Sequence, residues 1–259
     1  MREKPAFRRG AALFGGVLAF TSLAPFCYVL LCSFTAQGRV DFAPYYQVFW
    51  GQSQYLLRFW KSLGLSLCAG LGQLTVSALA GFGFARYRFR GRGILFFLLA
   101  ILMVLPVQVT LVPNYITLSR LGLLDTYAAL VLPLVFIPLG TFILRQSFLS
   151  VPASVLDAAM LDGCGALGIL CRVAAPMNAG GMACVFLLSF LDAWNMVEQP
   201  IAYLRDAGRY PISVALVYTA PADTSVQLAC CVLIALPCLF LFTFFNRELV
   251  EGITLAEVK

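Results

Sequence analysis

Six stretches of at least 19 residues carry no Asp, Glu, Lys or Arg: 10–38, 62–85, 93–119, 126–144, 173–191 and 224–246. Each is long enough to cross a hydrocarbon core, which takes about 20 apolar residues in a helix. A membrane β-strand would instead alternate apolar and polar residues over about 10 positions, and these runs of Leu, Phe, Ala and Val do not. The sequence predicts an all-α integral membrane protein with six transmembrane helices. Only 12% of its 259 residues are charged, against about 25% in soluble domains.

The first run follows Arg8 and Arg9, as the apolar core of a signal peptide would. Its length exceeds the 7–15 residues of such a core, and no small-x-small site closes it. It reads as a retained helix. Orientation follows from the eighteen basic residues. Arg2, Lys4, Arg8, Arg9, Arg86, Arg88, Arg90, Arg92, Arg145, Arg172, Arg247 and Lys259 fall on one side of the six spans. Arg39, Arg58, Lys61, Arg120, Arg205 and Arg209 fall on the other. The excess of Lys and Arg marks the cytoplasmic side, so both termini and the loop after the fourth span are expected there.

Several chemistries are excluded. The chain has no histidine, which removes histidine acid–base pairs, HExxH zinc sites and phosphohistidine relays. None of its lysines follows a Gly-x-x-x-x-Gly, so no P-loop is present. The nine cysteines show no CxxC or metal-ligand spacing and read as small buried hydrophobes. No metal, cofactor, catalytic residue or nucleic-acid partner is expected. The charge-free runs also lack the intramembrane carboxylate that ion-coupled carriers use. A polytopic protein with neither active site nor energy source reads as one subunit of a larger machine.

Polar features point to partners. Tyr87 and Phe89 lie among four arginines and suit anionic lipid headgroups. In the third run, Pro106 and Pro113 are expected to free backbone carbonyls. Gln108, Asn114, Thr110 and Thr117 lie nearby, so this run either lines a polar route or hydrogen-bonds to neighbouring helices. Gly122 marks a tight turn. Trp194 and Asn195 close the fifth run, where an aromatic ring beside an amide suits either a membrane interface or a sugar.

The loop from Arg145 to Pro176 is the most ordered polar segment. Ser150-Val151-Pro152 is expected to start a helix, with the serine as cap. Residues 153–161 are helix formers, and Asp162-Gly163 ends the helix because glycine takes the left-handed C′ conformation. Ala158 and Ala159 are expected to leave a shallow face, flanked by apolar Leu156, Met160 and Leu161. Such a helix either docks in a partner's groove or lies on the membrane surface.

At Asp157-Ala158-Ala159, Asp162-Gly163 and Pro176 the chain resembles the permease subunits of ABC importers, whose pattern is Glu-Ala-Ala, Gly and Pro at this spacing. Residues 112–115, 121–126, 142–148, Trp194-Asn195, Pro200, Pro211 and the ending 245–259 resemble the carbohydrate branch, specifically the shorter partner of the maltose-type pair. The resemblance implies an ABC type I importer transmembrane fold. It divides the chain into residues 1–61 (first helix and extracytoplasmic segment), 62–246 (transmembrane domain) and 247–259 (cytoplasmic tail). It implies a sugar permease working with a second, larger permease, ABC ATPase subunits and an extracytoplasmic solute-binding protein. Asp157, Ala158, Ala159, Met160, Asp162 and Gly163 would contact the ATPase through a coupling helix, and Gln108, Asn114, Trp194 and Asn195 would line the substrate path.

Overall fold

The computed structural model describes residues 5–36, 39–51, 54–218 and 224–257. In chain order it runs α1 (Pro5–Ser33), β1 (Thr35–Ala36), β2 (Arg39–Val40), α2 (Ala43–Tyr46), α3 (Gln54–Arg86), α4 (Arg92–Val104), α5 (Val107–Arg120), α6 (Ala128–Val135) and α7 (Pro138–Leu149). It continues with α8 (Ala153–Leu161), α9 (Ala166–Ile169), α10 (Ala175–Met177), α11 (Ala179–Trp194), α12 (Glu198–Tyr203), α13 (Ile212–Tyr218) and α14 (Thr224–Glu257). The two strands pair antiparallel.

Among the described residues, four helical stretches are long and apolar enough to cross a membrane: Gly15–Ser33, Tyr55–Arg86, Ala128–Leu149, which holds α6 and α7, and Thr224–Asn246. Two further spans are bent pairs, α4 with α5 at 108° and α9–α10 with α11 at 89°. Counting each pair once gives the six that hydropathy predicts. The first bend has a local cause. Leu105 and Pro106 are extended, with ψ of 127° and 144°. A proline ring disfavours helical backbone in the residue before it and has no N–H to continue the ladder. Pro113, expected to act similarly, is instead carried inside α5 without a break. The second bend sits at Asn178, whose φ of −120° and ψ of 36° leave the helical region.

Helices also overrun the charge-free runs. The helix α7 continues past Leu144 to Leu149 and α11 past Leu191 to Trp194, so they carry Arg145 and Asp192. The Arg145 guanidinium lies 4.0 Å over the Phe96 ring, which is stacked on Phe142 at 5.6 Å. An aromatic face offers a cation an attractive surface away from water.

Two compact units are present, residues 1–57 with 219–237 and residues 58–218 with 238–259. In the first, the Ser33 and Tyr45 hydroxyls meet at 2.8 Å and the Phe34 and Tyr45 rings at 4.8 Å. The second holds two buried clusters. One gathers Phe82, Leu144, Phe148, Leu156, Ile169 and Cys184. The other gathers Leu65, Leu130, Leu134, Ala193 and Tyr203. Close helix approach through small residues is the usual device in membranes, and α3 uses it against α7. A Cβ on Gly81 would stand 2.9 Å from the Arg145 amide nitrogen and 3.0 Å from Leu144 Cβ.

The turn after α5 matches its sequence signal, with Gly122 at φ +67°. Asp125 also has positive φ, at +62°, and its side chain holds it there. Its Oδ1 accepts from the Arg205 amide at 3.1 Å and the Asp206 amide at 3.5 Å. Arg209 comes within 3.4 Å of Oδ2, and the Asp125 amide donates to the Tyr203 carbonyl at 2.9 Å. The Arg205 amide, helped by the Asp206 amide and the Arg209 charge, holds this carboxyl below the usual carboxylate range.

Candidate functional site

The helix α8 has the bounds its composition predicts, but its start differs. Pro152 takes the N-cap position with ψ of 136°. Ser150 is too early to cap α8 because it still belongs to the end of α7, with φ −74° and ψ −17°. Its hydroxyl donates to the Ser147 carbonyl at 2.7 Å.

The end of α8 follows its sequence signal. Gly163 has φ +82°. The Gly163 amide donates to the Met160 carbonyl and the Cys164 amide to the Ala159 carbonyl, each at 3.0 Å. This pair is the Schellman arrangement, which satisfies carbonyls that a helix end would otherwise leave bare.

One face of α8 is seated and the other is free. Leu156 is 3% exposed and Ala159 9%, and both join the cluster containing Phe82, Phe148 and Ile169. Their three-residue spacing puts them on one side of the helix. Ala159 and Leu156, expected on the open face, therefore form the seat. Asp157, Ala158, Met160, Asp162 and Gly163 are exposed, and Leu161 is 90% exposed. The free apolar surface is thus Val155, Ala158 and Leu161, flanked by Met160.

Two polar attachments hold the chain on either side of α8. Arg86, the last residue of α3, donates through Nη2 to the Phe148 carbonyl at 2.7 Å and to the Val151 carbonyl. Those carbonyls lie at and just beyond the end of α7, where a cation also complements the helix dipole. Asn178, at the bend before α11, accepts from the Ser147 hydroxyl at 2.9 Å and donates to the Ala174 carbonyl at 2.8 Å. Asn178 and Ser147 are both buried. A cavity of about 200 Å³ opens beside α8, lined by Phe82, Arg86, Tyr87, Asp157, Met160 and Ile169 among others.

Neither attachment is singled out by sequence. Arg86 looks like one more member of the patch with Arg88 and Arg90, which are exposed. Its nearest hint is Gly81, whose bare backbone marks α3 as approaching a neighbour little more than a turn earlier.

The residues expected on a substrate path differ in burial and in partners. Gln108 donates to the Glu198 carboxylate at 3.0 Å, and the Tyr203 hydroxyl, beside Asn114, donates to the Leu111 carbonyl at 3.3 Å. Both tie α5 to α12. Trp194 is fully buried, stacked on Phe190 at 5.9 Å with its edge toward Phe59 at 5.5 Å. It is a core residue here, so neither the interfacial nor the sugar-facing reading fits it. Asn195 is exposed and its amide turns back to the Leu191 carbonyl at 2.9 Å.

Comparison with known proteins bears on this arrangement. The family model described as binding-protein-dependent transport system inner membrane component matches residues 73–254. The arabinooligosaccharides transport system permease protein AraQ of Bacillus subtilis (strain 168) is 29% identical, over 100% of this chain and 99% of that protein. The sn-glycerol-3-phosphate transport system permease protein UgpE of Yersinia pestis bv. Antiqua (strain Antiqua) is 29% identical, over 76% of this chain and 72% of that protein. Among solved structures, a chain of a bacterial ABC transporter involved in the import of the acidic polysaccharide alginate superposes with a TM-score of 0.86. That match covers 95% of this chain and 98% of the other at 21% identity, a likeness of fold.

Proposed function

Since this chain belongs to the binding-protein-dependent transport system inner membrane component family, we propose that it is a permease subunit of an ATP-driven sugar importer in the cell membrane. It works with a second, larger permease, two ATPase subunits and an extracytoplasmic solute-binding protein. The helix α8 faces the cytoplasm and enters a groove on one ATPase subunit, with Ala158 and Leu161 as its contact face and Asp157 and Asp162 at the rim. The observation that carries this is the asymmetry of α8. Its inner face is packed by Leu156 and Ala159 while Leu161 stands 90% exposed. A leucine side chain is worth about 1.5–3 kcal/mol when fully buried, and burial against a groove recovers that energy.

Closure of the ATPase pair on ATP would carry α8 with it and shift the spans between inward- and outward-open states, a rigid-body transition. The loaded binding protein acts on the same equilibrium from outside, because both sites see the same two states. For the cargo, arabinooligosaccharides and sn-glycerol 3-phosphate are the precedents among relatives. An anionic cargo calls for free cations along the spans. The six charge-free runs hold no Lys or Arg, and of the cations just beyond them Arg86 is engaged with carbonyls and Arg145 with an aromatic ring, which favours an uncharged saccharide.

Purification of the tagged chain in mild detergent, followed by mass spectrometry, tests this directly. Recovery with a second permease and a P-loop ATPase is expected. The reconstituted assembly should then take up neutral oligosaccharides in preference to sn-glycerol 3-phosphate. A chain recovered alone and monodisperse, fluxing solute in empty liposomes, would refute the importer reading.

A further inference from the structure

A nine-residue helix such as α8 is below the roughly 12–15 residues at which an isolated helix is even marginal. Its seat is apolar and therefore non-directional. Leu156 and Ala159 hold α8 down without fixing its rotation or its slide along α3. Among the described residues, the hydrogen bonds that fix its place are made by the chain on either side of it, with the Arg86 charge facing Asp157 besides. Arg86 binds the entering leg to the end of α3 through the Phe148 and Val151 carbonyls. Asn178 joins the entering leg, at Ser147, to the leaving leg, at Ala174. Ser147 in turn is wedged against α11, where a Cβ on Gly181 would lie 2.6 Å from its hydroxyl oxygen.

From this geometry we infer that Arg86 and Asn178 are positioning residues for transmission, tying α8 to the ends of α3, α7 and α11 so that a displacement imposed on the helix reaches the spans. The inference rests on the reading of α8 as the ATPase-docking helix. Its chemistry is specific. The one Arg86 nitrogen Nη2 gives its two hydrogens to two carbonyls at once, while a glutamine at 86 is shorter and carries no charge. The Asn178 amide both accepts and donates, and leucine, of similar size, does neither.

The experiment uses the purified importer in nanodiscs, with MgATP and orthovanadate to trap the closed ATPase. Amide hydrogen exchange is followed at two places, residues 149–163 around α8 and the turn at residues 120–126. In the native assembly, trapping should alter exchange at both. In Arg86→Gln and Asn178→Leu the ATPase should remain bound, exchange at 149–163 should rise about tenfold or more, and the response at 120–126 should disappear. Arg86→Lys should restore part of that response. A native response at 120–126 in both Arg86→Gln and Asn178→Leu would overturn the inference. Loss of the ATPase from Arg86→Gln would overturn it too, because the arginine would then serve docking itself. Leu161→Asp separates the underlying reading: if that variant keeps its ATPase, the docking assignment of α8 is what fails.

Discussion

Replacing Gly163 with alanine isolates one physical quantity. At φ +82° the residue lies in the left-handed region, and a Cβ added there meets nothing within 4 Å. No steric contact contributes, so the cost is the backbone preference alone, about 1–2 kcal/mol for an L-residue with a side chain. That free energy multiplies the population of the frayed helix end by about 5- to 30-fold. The bonds at stake run from the Gly163 and Cys164 amides to Met160 and Ala159, and hydrogen exchange across residues 156–166 reads them. Gly165→Ala is the matched control. It adds the same methyl two residues on, into open space, at a φ of −71° that alanine adopts freely. Gly163→Ala should therefore accelerate exchange about 5- to 30-fold at residues 163 and 164, and Gly165→Ala should not. Equal effects of the two variants, or no effect of the first, would refute the account of how α8 ends.

Other perturbations have equally definite outcomes. Leu161→Asp alters a side chain that touches little in this chain. It should shift thermal stability by no more than about 0.5 kcal/mol while reducing ATPase co-purification at least about tenfold, given the 1.5–3 kcal/mol a buried leucine contributes. Gly81→Ala drives a methyl into the backbone of Leu144 and Arg145, and should lower the unfolding midpoint by an amount equivalent to about 1–3 kcal/mol, typical of overpacking. For Asp125 the folded pKa lies below the unfolded value of about 3.9. Its contribution is therefore present above that value and lost as pH falls through the lower, folded one. The difference in melting temperature between the native chain and Asp125→Asn should hold steady from neutral pH down to about 5 and close on further acidification. A gap that persists at the lowest pH would show that the carboxylate charge is not what closes the turn.

The apolar runs announced the helices because hydrocarbon burial demands length and little else. Gly163 announced the end of α8 because only a few residues tolerate its backbone. Bends were harder to read. Pro106 and Pro113 look alike in sequence, yet one breaks the chain and the other is carried inside α5, and the outcome depends on how neighbours take up the freed groups. The sides of α8 were equally hidden. Periodicity places Leu156 and Ala159 together but says nothing about which side meets Phe82. Trp194 reads as either an interfacial or a sugar-facing residue from its place beside Asn195 at the end of an apolar run, and it is Phe190 and Phe59 closing over it that make it core. Arg86 was concealed by its company, since a charge that satisfies helix carbonyls and one that faces headgroups have the same one-letter signature.

The shortness of α8 has a practical consequence for anyone seeking to block this transporter. The segment owes its shape to the seat made by Phe82, Phe148 and Ile169, so a linear peptide copied from residues 152–164 would spend nearly all its time unfolded. If α8 docks as proposed, such a peptide would compete poorly for the ATPase groove however well its side chains match. A useful mimic would need a covalent brace joining positions 156 and 159, the two that face away from the partner, leaving Ala158 and Leu161 to make the contact.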